Sequence, residues 1–314
     1  MTWPPPLGCA PIWSANWSRG AGTPRRSGVS YLWGTYWSGE WDKLTGLIPQ
    51  ALIGLRATLH AADATTRSKV AEQLAWCYSV AGATLTHLRQ PDAGFMSVRR
   101  ALDLVAGGDD ALLAAVLKGS MSWQLLVSGR FLDAERVAIR AAESIEPHGE
   151  VPPQALSVYG SLLVQVANAA ARDGRSAIAG DFLGSAREVA QRVAADRMDY
   201  EIPFGPSLVT MQTVDVSVVT EDYPAAVAAA SLMPANPALP LASRCRHLTD
   251  RACAHANLGQ EEQALALLLT AEEMSADWIR HQTLARAVTR DLLTAERRRS
   301  TPLRALAKRI GVNR

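Results

Sequence analysis

Aromatic residues are scarce in this chain: 6% of 314 residues, against 48% apolar residues in all. That shortage argues against a β-rich fold, whose pleated faces draw on aromatic and β-branched side chains. Alanine fills the gap, and alanine is the strongest helix former. Cysteine is rare too. Cys9, Cys77, Cys245 and Cys253 form no CxxC pair, so reduced thiols in a cytoplasmic protein are expected. No apolar run reaches the roughly 18 residues that a membrane span needs. The first 18 residues hold no Lys or Arg and no continuous apolar stretch, so a secretory leader is not expected. Net charge is only +2, which gives no chain-wide field for nucleic acid. The GxxxxGK[ST] phosphate loop and the GxSxG elbow are both missing, which removes two common routes to nucleotide and acyl chemistry.

What is present is periodicity. Breaks fall at Gly, Pro and acidic residues, and helical patterns lie between them. The breaks also mark a repeat. From Gly129, offsets of five, nine and twelve residues reach Ala134, Ala138 and Ala141. From Gly174 they reach Ala179, Leu183 and Ala186; from Gly259, Ala264, Leu268 and Ala271; from Gly39, Leu44, Ile48 and Ala51. Two copies lack the glycine. Arg89 leads to Gly94, Val98 and Ala101, and Glu221 leads to Ala226, Ala230 and Met233. Such spacing describes paired helices. Gly permits the turn that ends the first helix, and a small residue five positions on lets the second lie close. Each pair buries only part of its apolar surface, so pairs must stack.

This pattern resembles the tetratricopeptide repeat, whose regular unit is about 34 residues. Here the last marker recurs at gaps of 50, 40, 45, 47 and 38 residues, so the repeat is degenerate. The order of several segments is similar to the sensor half of actinobacterial XRE-type transcriptional regulators. YLWGTYWSGEWDKLTGLIPQAL, LRQPDAGFMSVRRAL, SGRFLDAERVAIRAAESIEP, FGPSLVTMQTVDVSV and the closing STPLRALAKRIGV carry the likeness. It implies an all-helical regulatory module from an intracellular bacterial protein, with a helix-turn-helix domain ahead of it. Residues 1–28 do not read as that domain. Pro4, Pro5 and Pro6 forbid a helix, and no helical period follows. Sequence-specific DNA binding by this chain alone is therefore not expected.

The expected fold is all-α: a right-handed superhelix of six degenerate tetratricopeptide-like pairs over residues 29–314, behind a poorly ordered tail at 1–28. LRALAKRIGV looks like the first half of a helix-turn-helix motif. Its apolar stripe of Leu303, Leu306 and Ile310, ended by Gly311, reads instead as a capping helix.

Chemistry is sought in vain along most of the chain. Cys245, His247, Cys253 and His255 offer four metal-ligand types, but on one helix Cys245 and Cys253 lie about 12 Å apart along the axis. That is too far for one tetrahedral zinc. The acid pairs Asp109/Asp110, Glu261/Glu262 and Glu272/Glu273 fall at helix starts or on exposed faces. FGP, residues 204–206, reads as a break between repeats. The concave face is the place for a site. Six residues before each turn marker lie Trp33, Ala83, Trp123, Asn168, Asp215 and Cys253. Four further back lie Val29, Ser79, Gly119, Val164, Met211 and Thr249, with Tyr36, Trp76 and Gln212 nearby. Trp33, Tyr36, Trp76, Trp123, Asn168, Met211, Gln212 and Asp215 thus form the candidate groove. Aromatic anchors with a few polar groups suit a peptide, a small effector or a protein partner. The same tryptophans would also serve as core wedges between repeats. The resulting expectation is a non-enzymatic regulatory or interaction module with no cofactor. The alternatives are a stand-alone adaptor unrelated to transcription or, after it, an enzyme on a helical scaffold, with self-association into a homodimer left open.

Overall fold

Six turns repeat one hydrogen-bond pattern, and that pattern builds the molecule. The computed structural model describes residues 28–234, 236–295 and 300–312. The tail expected at 1–28 lies outside them, except that Gly28 opens the first helix. The six pairs are α1 (Gly28–Trp37) with α2 (Trp41–Ala61), α3 (Arg67–His87) with α4 (Pro91–Val105), and α5 (Ala111–Val127) with α6 (Phe131–Glu143). Then follow α7 (Pro153–Arg172) with α8 (Ser176–Val193), α9 (Pro206–Val219) with α10 (Tyr223–Ala230), and α11 (Leu241–Asn257) with α12 (Glu261–Met274). The short α13 (Ala276–Arg280), α14 (Thr283–Ala295) and α15 (Thr301–Arg309) complete the described chain. Together the pairs wind as a right-handed superhelix of tetratricopeptide-like repeats.

At every pair the turn marker has positive φ: Gly39, Arg89, Gly129, Gly174, Glu221 and Gly259 lie between 61° and 76°. Its N–H donates to the carbonyl three residues back, as from Gly129 to Leu126 at 3.0 Å. The next N–H donates five back, as from Arg130 to Leu125 at 2.9 Å. These are Schellman motifs, which satisfy the last carbonyls of the first helix. Arg89 and Glu221 adopt the same angle without glycine. The five-residue offset then places Leu44, Gly94, Ala134, Ala179, Ala226 and Ala264 in the core. A Cβ on Gly94 would meet the Gly82 carbonyl at 2.9 Å, so α3 and α4 touch through bare backbone.

The stack closes on itself. Trp41 and Leu44 of the first pair share one buried cluster with Trp278 and Ile279 of α13. Asp42 donates its N–H to Asp277 at 3.2 Å, and Arg280 lies 3.3 Å from Asp42. Asp42, Asp277 and His281 also converge there. Arg280 already bridges the two carboxylates, which makes the trio an ion-pair cluster. At the C-terminal end, Leu303, Leu306 and Ile310 are buried, and Arg309 pairs with Glu272 of α12 at 2.6 Å.

One element departs from the helical reading. Residues around FGP form an antiparallel hairpin, β1 (Arg197–Asp199) and β2 (Ile202–Phe204), where a plain break was expected. The reason is local. The Phe204 ring fills a notch over Gly160 of α7, where a Cβ would come within 2.0 Å of it. Gly205 takes φ 152° against the backbone of Asp196, a conformation that glycine alone adopts readily. Asp196 accepts from Ser207 N–H at 2.9 Å and from Ala238 N–H at 3.1 Å, which ties the hairpin base to α9 and to the next loop. The hairpin tip then reaches the first pair: Trp37 Nε1 donates to the Glu201 carbonyl at 2.8 Å.

Candidate ligand cavity

Because the superhelix closes, its concave face becomes an inner cavity of about 310 Å³. Each first helix of a pair contributes to it, and the hairpin adds Ile202 and Pro203. Seven of the eight groove positions line it: Trp33, Tyr36, Trp123, Asn168, Met211, Gln212 and Asp215. Trp76 does not. It lines a neighbouring cleft with Met198, Tyr200 and Glu201 of the hairpin. That cleft is larger, about 910 Å³, and more open to solvent. Trp37 borders both spaces. Three other positions from the helix-phase count, Val29, Thr249 and Cys253, stay outside the cavity lining.

One wall is aromatic. Trp33 packs edge-on to Tyr36 at 5.3 Å between ring centres. Trp41 stacks on His87 at 4.0 Å, and His87 lies 5.4 Å from Trp123. Trp33 and Tyr36 are almost wholly buried, whereas Trp123 is half-buried. The Tyr36 hydroxyl is 3.0 Å from His87 Nε2. Burial drives the His87 pKa down to about 3, helped by the charges of Arg246 and His281. Burial also pushes the Tyr36 hydroxyl upward, so both groups stay neutral at physiological pH.

The opposite wall is ionic. Asp215 on α9 accepts from Arg172 of α7 at 3.0 Å and from Arg246 of α11 at 2.5 Å. Arg246 also donates to Asp250 at 2.8 Å, one turn along its own helix. Burial works against charge on Asp215, but Arg246 and Arg172 outweigh it and hold its pKa below the usual carboxylate value. Burial wins at Asp250, whose pKa rises to about 7 despite Arg246. Beside this network, Asn168 donates to Gln212 at 3.0 Å while its Oδ1 stays buried without a partner among the described residues.

The sequence reading passed over Arg172, Arg246, Asp250 and His87. The signal was available. Arg172 lies four residues after Asn168 on α7, and Arg246 lies one turn before Thr249 on α11, each continuing the helical face already counted. Extending the count by one turn at each end would have found both arginines. The four Cys and His of α11 share one helix, as the spacing indicated. His247 is buried, while the His255 ring sits 2.5 Å from Gln260 at the turn.

No family model matches this chain, and no curated protein matches it in sequence. Solved structures do share its fold. A Rap protein complexed with competence and sporulation factor covers 91% of this chain and 86% of its own, at 11% identity and TM-score 0.54. The apo form of RapI covers 87% of each chain, at 13% identity and TM-score 0.51. At such identities the likeness extends to the fold alone.

Proposed function

We propose that the protein is an effector-binding regulatory or interaction module whose ligand occupies the inner cavity. The observation that carries this reading is the cavity itself. It joins an aromatic wall to a fixed ionic wall in a space the size of a small ligand. A Rap protein of similar fold was solved complexed with competence and sporulation factor, a precedent for ligand binding by such a stack. The resemblance of the FGP and LRALAKRIGV segments to XRE-type sensors favours a role in transcriptional control, with DNA contact left to another domain. A peptide, a small effector or a segment of a protein partner would all use the same walls.

A catalytic role fits less well. General acid–base catalysis needs groups that titrate near the working pH and touch the substrate. His87 and Tyr36 are both held neutral by burial. Asp250 is the carboxyl raised toward neutrality, but it is fully buried behind Arg246. The test is native mass spectrometry of the protein purified from its host. A co-purifying molecule is expected, lost on Trp123→Ala or Asn168→Ala at little-changed melting temperature. Loss of folding in both variants, with nothing retained by the wild type, would sink the reading.

A further inference from the structure

The ionic wall shows the cavity more positive charge than it contains. Arg172 and Arg246 keep 21% and 37% of their side-chain surface accessible. Their counter-ions are hidden: Asp215 keeps 7% and Asp250 none. Asp215 bridges both guanidinium groups, so two arginines from different helices are locked in one arrangement. Arg246 spends Nε on Asp250 and Nη2 on Asp215, while its Nη1 has no protein partner among the described residues.

We propose that this arginine pair receives the carboxylate of a ligand whose apolar body lies against Trp33 and Trp123. The inference rests on the cavity reading above and narrows it to one headgroup. A planar guanidinium matches a carboxylate with two parallel hydrogen bonds. Net charge sets the valence. Two arginines against two aspartates sum to zero, or to +1 when Asp250 holds a proton. Such a wall accepts a monoanion. A phosphomonoester would bring two negative charges beside Asp215, and like charges at close range repel strongly away from bulk water. An aromatic acid and the C-terminus of a peptide present the same headgroup.

The test is isothermal titration of the full chain with matched probes. These are 1-naphthylacetic acid, its uncharged amide, 1-naphthyl phosphate, and a tetrapeptide ending in Phe as free acid and as amide. The expected result is that a carboxylate binds about tenfold or more tightly than its amide, as a charged hydrogen bond would give. The phosphate should bind more weakly than the acid. Preference among the two acids separates a small-molecule source from a peptide one. Arg246→Gln should remove the acid-over-amide preference, and Arg246→Lys should restore part of it. Arg172→Gln, which leaves Arg246 paired with both Asp215 and Asp250, serves should Arg246→Gln fail to fold. Equal affinity of acid and amide, both lost on Trp123→Ala, would overturn the carboxylate and leave the cavity reading standing. Binding of none of the probes would overturn both.

Discussion

The two walls of the cavity are built on opposite principles. The aromatic wall comes from the first pairs and α13. It is where the stack closes, and its rings belong to the largest buried cluster. The ionic wall comes from α7, α9 and α11, and there two buried carboxylates are matched by two arginines. Burying rings stabilises a fold in rough proportion to area. Burying ions gains little net stability, because desolvation offsets the attraction. A scaffold needing only stability would fill both walls with apolar side chains. Ions held on one wall point to recognition, since a fixed charge pattern discriminates between ligands.

The largest effect should follow from breaking the ionic wall. Asp215→Ala takes the carboxylate from Arg172 and leaves Arg246 with Asp250 alone, and removal of one partner from a buried pair costs about 3–5 kcal/mol. Chemical denaturation measures it. A change under 1 kcal/mol would mean that water screens the network and that the contrast between the walls is false. The aromatic wall divides more finely. Trp41 is 1% exposed and stacked between elements of the closure. Trp41→Ala should cost about 3–5 kcal/mol, the range for emptying a large buried side chain. Trp123 is half-buried, and Trp123→Ala should cost roughly 1–2 kcal/mol, less because part of its surface is already wet. Equal losses at both would make Trp123 a core wedge rather than a ligand contact.

The walls should also titrate in opposite senses. His87 belongs to the aromatic wall with its pKa near 3, far below an unfolded histidine. Between those values the unfolded chain binds the extra proton, so this group makes stability rise with pH. His247, lowered to about 4 by burial, acts in the same direction. Asp250 does the reverse. Its pKa near 7 lies above that of an unfolded aspartate, so the folded chain holds the proton and stability falls as pH rises through that window. Arg246, Asp215, Arg172 and Cys253 surround it and keep this balance. Asp250→Asn removes the opposing slope. Stability from pH 4.5 to 6.5 should then climb more steeply than in the wild type, by up to about 1.4 kcal/mol per pH unit. An unchanged slope would show that Asp250 stays ionised.

The scaffold was far more legible in the sequence than the site. Gly39, Gly129, Gly174 and Gly259 announced four turns because a left-handed residue favours glycine. Small residues at fixed offsets announced the helix contacts. These signals are local, and each is set by a few neighbouring residues. Closure of the stack is not local. Trp41 meets Trp278 across more than 200 residues, and nothing in either segment names the other. The hairpin was missed for a similar reason. Its strands have three residues each, too short for a period, and it is pinned by Gly160 and Asp196 from outside the strands. Trp76, counted with the groove, lines the neighbouring cleft beside the hairpin's Met198 and Tyr200. The arginines fall one turn outside the helix-phase count, and Asp215 draws them inward.

The smallest effect tests whether the contrast lies in the walls or in the scaffold beneath them. Arg89 ends α3 beside the aromatic wall, and Glu221 ends α9 beside the ionic one. Both hold φ near 61° at the turn position where the other four repeats carry glycine. A non-glycine residue there carries a cost of about 1–2 kcal/mol. Glycine relieves it but loses more entropy on folding, by roughly 0.5–1 kcal/mol. Arg89→Gly and Glu221→Gly should each therefore stabilise by up to about 1 kcal/mol, as a small rise in denaturation midpoint at unchanged m-value. Equal gains would mean that both halves rest on one repeat geometry and differ only in what they present to the cavity. A gain at Arg89 with a loss at Glu221 would show instead that the Glu221 side chain supports the ionic half, and that the asymmetry reaches down into the turns.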